Sequence, residues 1–504
     1  MFRFSFVPNG PLSGKSDLTG AHLVGADGVA LRADLRFEPG MVTCDKRTAG
    51  PAGLALLWPV EGVGRLLLET ARLPERDAPY HLHRELVRGR LMRLSQKRED
   101  WGFQDNTVVP DLVEELDRAR DLFIESVKAG DVGEAARFAD EALRMALQAG
   151  ERLSLAQAQM LLARRRQSGS FGRRTFGCGI DPACTGEAYR RHLVETFDFA
   201  CLPIRWRDVE AREQEVNWER IDPWVDWLSK RRIPIQMGPL VSFHERYVPD
   251  WLFMWENDFE TVRDLVVSHI RRVVGRYGSF VQSWEVISGI HCDNCFQFNF
   301  EQLMELTRLA CAVCKQMAPK STTLINLKAL WGEYYARNQR TIPPMLYADM
   351  AVQSGLVFDA FGLELLFGLG QDGLFVRDLF QISSMIDRLS GFGKPLHVTC
   401  VASSQARCQI PPPDAGEATV AGGGIWHRAW DEATQAEWLR SFYEIALSKP
   451  NVESVSWYTL ADRPDAVLPS GGLLHADGRP KAAMETLRGV KGRIVSTRIP
   501  PPRA

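Results

Sequence analysis

The pattern of apolar and polar positions divides the chain into three regimes. From residue 1 to about 75 it has a period of two. Ala30-Leu31-Arg32-Ala33-Asp34-Leu35-Arg36-Phe37 alternates, and Leu54–Val60 and Gly64–Glu69 follow after glycine and proline punctuation. Short β-segments packed as a small sandwich are expected there, as a carbohydrate-binding-like module or a plain packing domain. From Pro79 the period turns helical: Leu82, Leu86, Leu91 and Leu94 share a stripe, and Asp111–Lys128 and Glu134–Leu162 are rich in Ala, Leu, Glu and Arg around a Gly130-Asp131 break. Ala135, Ala139, Ala142 and Ala146 suit close helix contact, so residues 76–167 read as a hairpin that braces its neighbour or docks a protein partner.

After the linker Gln167–Thr175, strand and helix signals alternate. Strands are predicted at Thr175–Ile180, Phe199–Ile204, Ile233–Val241, Val281–Ile287, Thr323–Asn326, Ala360–Leu365, Pro395–Val401 and Ser454–Leu460. Helices fall between them, among them Trp218–Lys230, Asp258–Tyr277, Phe300–Met317, Gln339–Ser354, Leu374–Ser390 and Thr434–Ser448. Eight such units over residues 168–494 predict an α/β fold, a (β/α)8 TIM barrel preceded by the β-rich module and the helical segment, with 495–504 as a tail. Chemistry in such a barrel sits where strands end and βα loops begin.

Composition narrows the function classes. With 45% hydrophobic and 25% charged residues the chain can bury a large core, and its net charge of −2 argues against a nucleic-acid partner. The start, Met-Phe-Arg-Phe-Ser-Phe-Val-Pro-Asn-Gly, has no apolar signal core, and no apolar run approaches the roughly 20 residues of a membrane span, so a cytoplasmic, membrane-free protein is expected. Ten cysteines on a chain this long are read as thiols or metal ligands rather than a disulfide scaffold.

Several strand ends carry a further signal. Ser283-Trp-Glu-Val-Ile-Ser-Gly-Ile-His291, Val248-Pro-Asp-Trp251, Lys394-Pro-Leu-His-Val-Thr-Cys400 and Val455–Asp462 occur in the order and spacing of glycoside hydrolase family 10, and the chain resembles that xylanase family from about Phe176 to Leu487. The resemblance implies a retaining O-glycosyl hydrolase, which uses two carboxyls about 5–5.5 Å apart as acid/base and nucleophile. Matched residue by residue, those positions hold Gly289 and Cys400. Neither is a carboxylic acid. The expectation is a xylanase-like pseudoenzyme that binds a carbohydrate or carbohydrate-like molecule, through Arg205, Trp206, His244, His291, Asn326, Glu364, Trp457 and Asp462. The alternative is hydrolysis by relocated groups, such as Asp293, His291 or Glu245, or by a Cys400 thiolate. No cofactor is expected, but Cys292, Cys295, Cys400 and Cys408 are assigned to one end of the barrel, and their ligand types suit zinc. Cys311 and Cys314, one helical turn apart, read as core.

Overall fold

The computed structural model describes residues 1–8, 18–103, 110–405 and 420–495. The chain opens with β1 (Phe2–Ser5), β2 (His22–Gly25), β3 (Ala30–Leu31), β4 (Ala33–Glu38), β5 (Met41–Lys46), β6 (Ala52–Val60), β7 (Gly64–Glu69) and β8 (Tyr80–His81). Helices α1 (Leu82–Asp100), α2 (Pro110–Lys128) and α3 (Val132–Gln167) follow. The rest comprises β9 (Phe176–Gly179), α4 (Glu187–Thr196), β10 (Phe199–Pro203), α5 (Trp206–Val209), α6 (Asp222–Lys230), β11 (Ile235–Gly238), α7 (Phe259–Tyr277), β12 (Ser283–Ser288), α8 (Phe300–Met317) and β13 (Thr322–Leu327). It ends with α9 (Pro344–Gln353), β14 (Ala360–Phe367), α10 (Leu379–Ser390), β15 (Leu396–Ala402), β16 (Ile425–Trp426), α11 (Glu432–Ser448), β17 (Val452–Trp457) and α12 (Ala482–Val495).

All eight expected barrel strands form, and they close in the order β10-β11-β12-β13-β14-β15-β17-β9 with parallel pairing throughout. Both faces of these strands are covered, which is why they read as nearly continuous apolar runs. Helix starts differ from the sequence expectation where a local signal prevails. The predicted Gln339–Ser354 helix begins only at Pro344, because a proline at the first position needs no intrahelical donor. Likewise α10 begins at Leu379, where Asp378 accepts from the amides of Phe380 and Gln381 and the Gln381 side chain bonds back, forming a capping box.

The N-terminal part forms two sheets, β4-β5-β1-β8 and β16-β7-β6-β2-β3. Phe2, Phe4, Phe6, Leu54, Leu56 and Trp58 lie in the same apolar cluster as the barrel interior. Strand β16 belongs to the barrel region in sequence yet pairs antiparallel with β7, so this module shares a sheet with the βα segment before α11. Helices α1 and α3 are bound to the barrel by buried polar contacts. Arg90 of α1 makes a two-pronged pair with Asp378 at 3.0 and 3.1 Å, Glu151 accepts from Trp426, His427 and the Leu379 amide, and Arg165 donates to the carbonyls of Leu447, Lys449 and Val452. Burying these groups is tolerable because each is satisfied by a partner on the other body. These contacts hold the helical segment against the barrel. No helix among the described residues is long and apolar enough to cross a membrane.

Removing one side of the deepest pair should be costly. Asp378→Ala leaves the Arg90 guanidinium buried and α10 without its cap, and should lower stability by about 3–5 kcal/mol in urea denaturation. Arg90→Met added to Asp378→Asn should recover much of that loss, because no buried charge is then left unpaired.

Candidate active site

The C-terminal ends of the barrel strands surround a cavity of about 550 Å³. Its polar lining comes from different strands: Gln236 from β11, Glu285 and Ser288 from β12, Asn326 from β13, Glu364 from β14, Thr399 from β15 and Ser456 from β17. Lys328, just past β13, and His244 and Tyr247, past β11, complete it. A smaller chamber of about 130 Å³ adjoins it, sharing His244, Lys328 and Glu364 and adding Cys292 and Asp293.

The centre of the cleft is a partly buried cluster of one cation, Lys328, and three acids, Glu285, Asp293 and Glu364. Asn326 donates through Nδ2 to Glu285 and to Ser288 Oγ, both at 3.0 Å. Lys328 Nζ lies 3.4 Å from Asp293 Oδ2. Burial works against the Lys328 charge, but the fields of Glu364 and Asp293 outweigh it and hold its pKa well above the ordinary value, so it stays an ammonium. Burial raises Glu364 and Glu285, and each also feels a neighbouring carboxylate: Asp293 for Glu364, and Glu364 for Glu285. Burial lowers His244, whose Nδ1 accepts from the Arg246 amide.

Gly289 closes β12 at φ +63, a left-handed conformation that glycine adopts without penalty. A Cβ there would stand 2.6 Å from Lys328 Cδ and 3.1 Å from Asp293 Oδ2. The space that a side chain would use is thus filled by the lysine stem. On β15 the orientation is the reverse of what the sequence match suggests. Thr399 faces the cavity, whereas Cys400 is wholly buried with Cys178 and Tyr443 of α11, on the helix side of the strand. Burial pushes its thiol well above the ordinary range, which disfavours the thiolate form.

The residues expected to bind ligand separate into two groups. Arg205, His244, Asn326 and Glu364 meet at the cavity, with Arg205 paired to Asp208 at 2.6 Å. Trp206 does not join them, because its ring stacks on His269 at 4.4 Å between centroids and its N–H donates to Glu210. Trp457 borders the cavity but its indole is buried edge-on to Trp438 and donates to the Gly471 carbonyl. Asp462 is taken up by Lys481 at 2.7 Å and the Gly472 amide. His291 is fully buried, stacked on Tyr347, with Nε2 donating to the Lys328 carbonyl. Of the relocated acids, Asp293 is engaged by Lys328 and Glu245 is exposed.

The thiols do not converge either. Cys292 Sγ donates to the Gly289 carbonyl, Cys295 is pushed up to about 12 by burial, and Cys400 faces away; Cys408 lies outside the described residues. Among the described residues no three His, Cys, Asp or Glu side chains gather as a metal site. Cys311 and Cys314 are buried in α8, as core. Sequence reasoning passed over Glu285, Lys328, Tyr247 and Thr399. For Glu285 a signal existed: it is the one charged residue in the run Ser-Trp-Glu-Val-Ile-Ser.

Comparison with known proteins bears on the barrel. A family model described as "Glycosyl hydrolase family 10" matches residues 172–341, which span β9 to β13. The chain is 26% identical over 87 residues to endo-1,4-beta-xylanase 3 of Hypocrea jecorina, covering 17% of this chain and 24% of that enzyme. It is 29% identical over 89 residues to endo-1,4-beta-xylanase B of Paenibacillus barcinonensis, covering 17% of this chain and 26% of that enzyme. These matches span about a quarter of the length of the curated relatives. Among solved structures, the GH10 protein of Paenibacillus barcinonensis aligns with a TM-score of 0.47 and 17% identity, over 64% of this chain and 96% of that one. Xylanase 10B of Thermotoga petrophila, solved with xylobiose, aligns with a TM-score of 0.47 and 15% identity, over 66% and 97%. The similarity to glycosyl hydrolase family 10 thus lies in the first five strands of the barrel, β9 to β13.

Two outcomes follow from the geometry. Gly289→Ala should destabilise the protein by about 1–2 kcal/mol through the left-handed backbone alone, read as a lower urea midpoint. His291 is pushed down to about 4 by burial, so the unfolded chain, with a histidine pKa near 6.5, binds the extra proton between those values. Its contribution to stability is present above about pH 6.5 and is lost as pH falls through about 4. Glu285 and Glu364, being raised, act in the opposite sense, so the check is differential. His291→Phe, which keeps a ring against Tyr347, should lose less stability than the natural protein between pH 7 and pH 5 in urea titrations.

Proposed function

We propose that this family 10, xylanase-like barrel holds a carbohydrate-like ligand in its cleft without two-carboxylate retaining chemistry. The observation that carries this reading is at Gly289, where the Lys328 stem occupies the space a general acid would need. Strand β15 presents the Thr399 hydroxyl to the cavity and no carboxyl. What the cleft does offer suits a polyhydroxylated ring: planar amide groups at Gln236 and Asn326, an arginine at Arg205, an imidazole at His244 and phenols at Tyr247 and Tyr458. Its volume of about 550 Å³ lies within the usual range for small-ligand sites, roughly 300–1,000 Å³.

Titration calorimetry with xylobiose, xylotriose and cello-oligosaccharides tests it. Saturable binding is expected, weakened about tenfold or more by Asn326→Ala, with no release of reducing ends. Silence across these ligands would overturn the binding claim, and xylan degradation at ordinary enzymatic rates would overturn the claim of lost chemistry.

A second reading is favoured by one feature, the pair Glu285 and Glu364. Both face the cavity, and both are raised by burial, Glu285 further by the Glu364 charge. Two carboxyls on one cavity, both raised toward the protonated form, are the residue types that acid and base roles in hydrolysis draw on. In that case Glu285→Gln and Glu364→Gln would each remove any hydrolysis by about 100-fold or more, and the same two variants would leave a purely binding protein silent in the reducing-end assay.

A further inference from the structure

A second cavity, of about 490 Å³, lies where the N-terminal sheets meet the barrel. It is bounded by the β2–β3 turn, by α1 and α10, and by the segment that follows β13. Seams between packed bodies are common places for small-molecule sites. The two sides of this one differ in character.

One side is cationic. Arg72 pairs with Glu69 at 3.1 Å, and Arg93 Nη1 stands 4.0 Å from the same carboxylate. Glu69 is therefore shared by two guanidiniums; although burial opposes it, Arg93 and Arg72 hold it down at about 2, so it is ionised and still falls one charge short. Burial brings Arg93 down to about 10 against the pull of Glu69, with smaller contributions from Arg90 and Arg72. Arg388 adds a third guanidinium beside Gly28: a Cβ there, at φ +81, would sit 3.4 Å from Arg388 Nη1. Among the described residues Arg388 forms no ion pair, and its nearest carboxylates, Glu69 and Asp27, act on it only through their fields. Lys97 does not add to the surplus, because Asp100 and Asp387 lie 3.6 and 3.7 Å from it.

The other side is apolar. Leu330, Trp331, Met345, Phe380 and Met385 supply it; Trp331 and Met345 are only partly buried, and although Arg377 lies over the Trp331 ring at 4.8 Å, the rest of that indole borders the cavity. A bare inorganic anion would leave that wall unused, and a neutral ring would leave the guanidiniums unmatched. An arginine fork suits phosphate or carboxylate oxygens, which accept two parallel N–H bonds.

We propose that this cavity binds a small organic anion, a flat apolar ring bearing a phosphate or carboxylate group, with the anion toward Arg388 and Arg93 and the ring against Trp331 and Met345. The site is separate from the cleft and does not depend on what the cleft holds.

Naphthyl phosphate and naphthoate, titrated calorimetrically into the full-length protein, are the direct probes, with naphthol and inorganic phosphate as the half-ligands. Saturable binding of at least one aromatic anion is expected, about tenfold or more tighter than either half-ligand. Arg388→Glu, a reversal at an exposed position, should weaken it about tenfold or more while circular dichroism is unchanged, and binding should weaken with added salt. Trp331→Ala should weaken it independently. Asn326→Ala in the cleft should leave it unaltered, which separates this site from the carbohydrate reading. Absence of saturable binding up to millimolar concentrations, or equal affinity in folded Arg388→Glu protein, would overturn the proposal. The choice between naphthyl phosphate and naphthoate then identifies the anionic group.

Discussion

The last hydrogen-bonded seam of the barrel, where Val455, Ser456 and Trp457 of β17 pair with Phe176, Gly177 and Cys178 of β9, converts seven parallel pairings into a closed surface. Closure removes both sheet edges and forces the strand ends to point at a common axis. Every group in the cleft depends on that convergence, since Gln236, Glu285, Asn326, Glu364, Thr399 and Ser456 come from six strands scattered over more than half the barrel's sequence. Close approach within the seam also sets local residue choice. A Cβ at Gly177 would stand 2.3 Å from both Phe199 and Ser456, and one at Gly179 would stand 1.9 Å from the Tyr458 carbonyl.

The N-terminal 167 residues are part of this same object. The Arg90–Asp378 pair, with side chains 3% and 0% exposed, ties α1 to the start of α10, and each charge is tolerated in burial because it meets the other. Arg377 and Glu333, both 1% exposed, pair at 2.5 Å inside the barrel side of the seam, and Arg377 also donates to the Leu67 carbonyl of β7. These contacts fix the β-rich module against α10 and so create the second cavity, whose walls come from three parts of the chain. Here polar burial specifies one docking geometry where apolar packing alone would accept several.

In the cleft, charge rather than shape is the controlling quantity. The partly buried ammonium of Lys328 is favoured there by the fields of Glu364 and Asp293, and its stem runs through the space beside Gly289 that a Cβ would enter. A carboxyl side chain at 289 would collide with the lysine stem and add a fourth acid to the three already present. The cleft is thus a consistent polar arrangement of its own, with hydrogen-bonding groups facing a cavity and Glu285 and Glu364 raised by burial.

Much of the architecture was legible from the chain alone. Strand and helix alternation after residue 168 specifies a parallel barrel, because each apolar run of strand length needs covering on both faces and only a helix-wrapped sheet supplies that. Five of the eight expected ligand-binding residues line the cavity; Arg205, His244, Asn326 and Glu364 are polar groups at strand ends where burial without purpose is costly, and Trp457 borders it with its indole turned into the packing. What periodicity does not contain is the facing of residues in strands buried on both sides. Val398, Thr399, Cys400 and Val401 offer no polar-out signal, so only the closed sheet decides that Thr399 turns inward and Cys400 toward α11. The same holds for Trp206, Trp457 and His291, whose rings could fill a core or line a mouth equally well by composition, and which tertiary packing places against His269, Trp438 and Tyr347. Sequence sets which elements form and where they end, because those depend on neighbours along the chain; which side chains meet depends on neighbours in space, and that was decided only when the barrel closed.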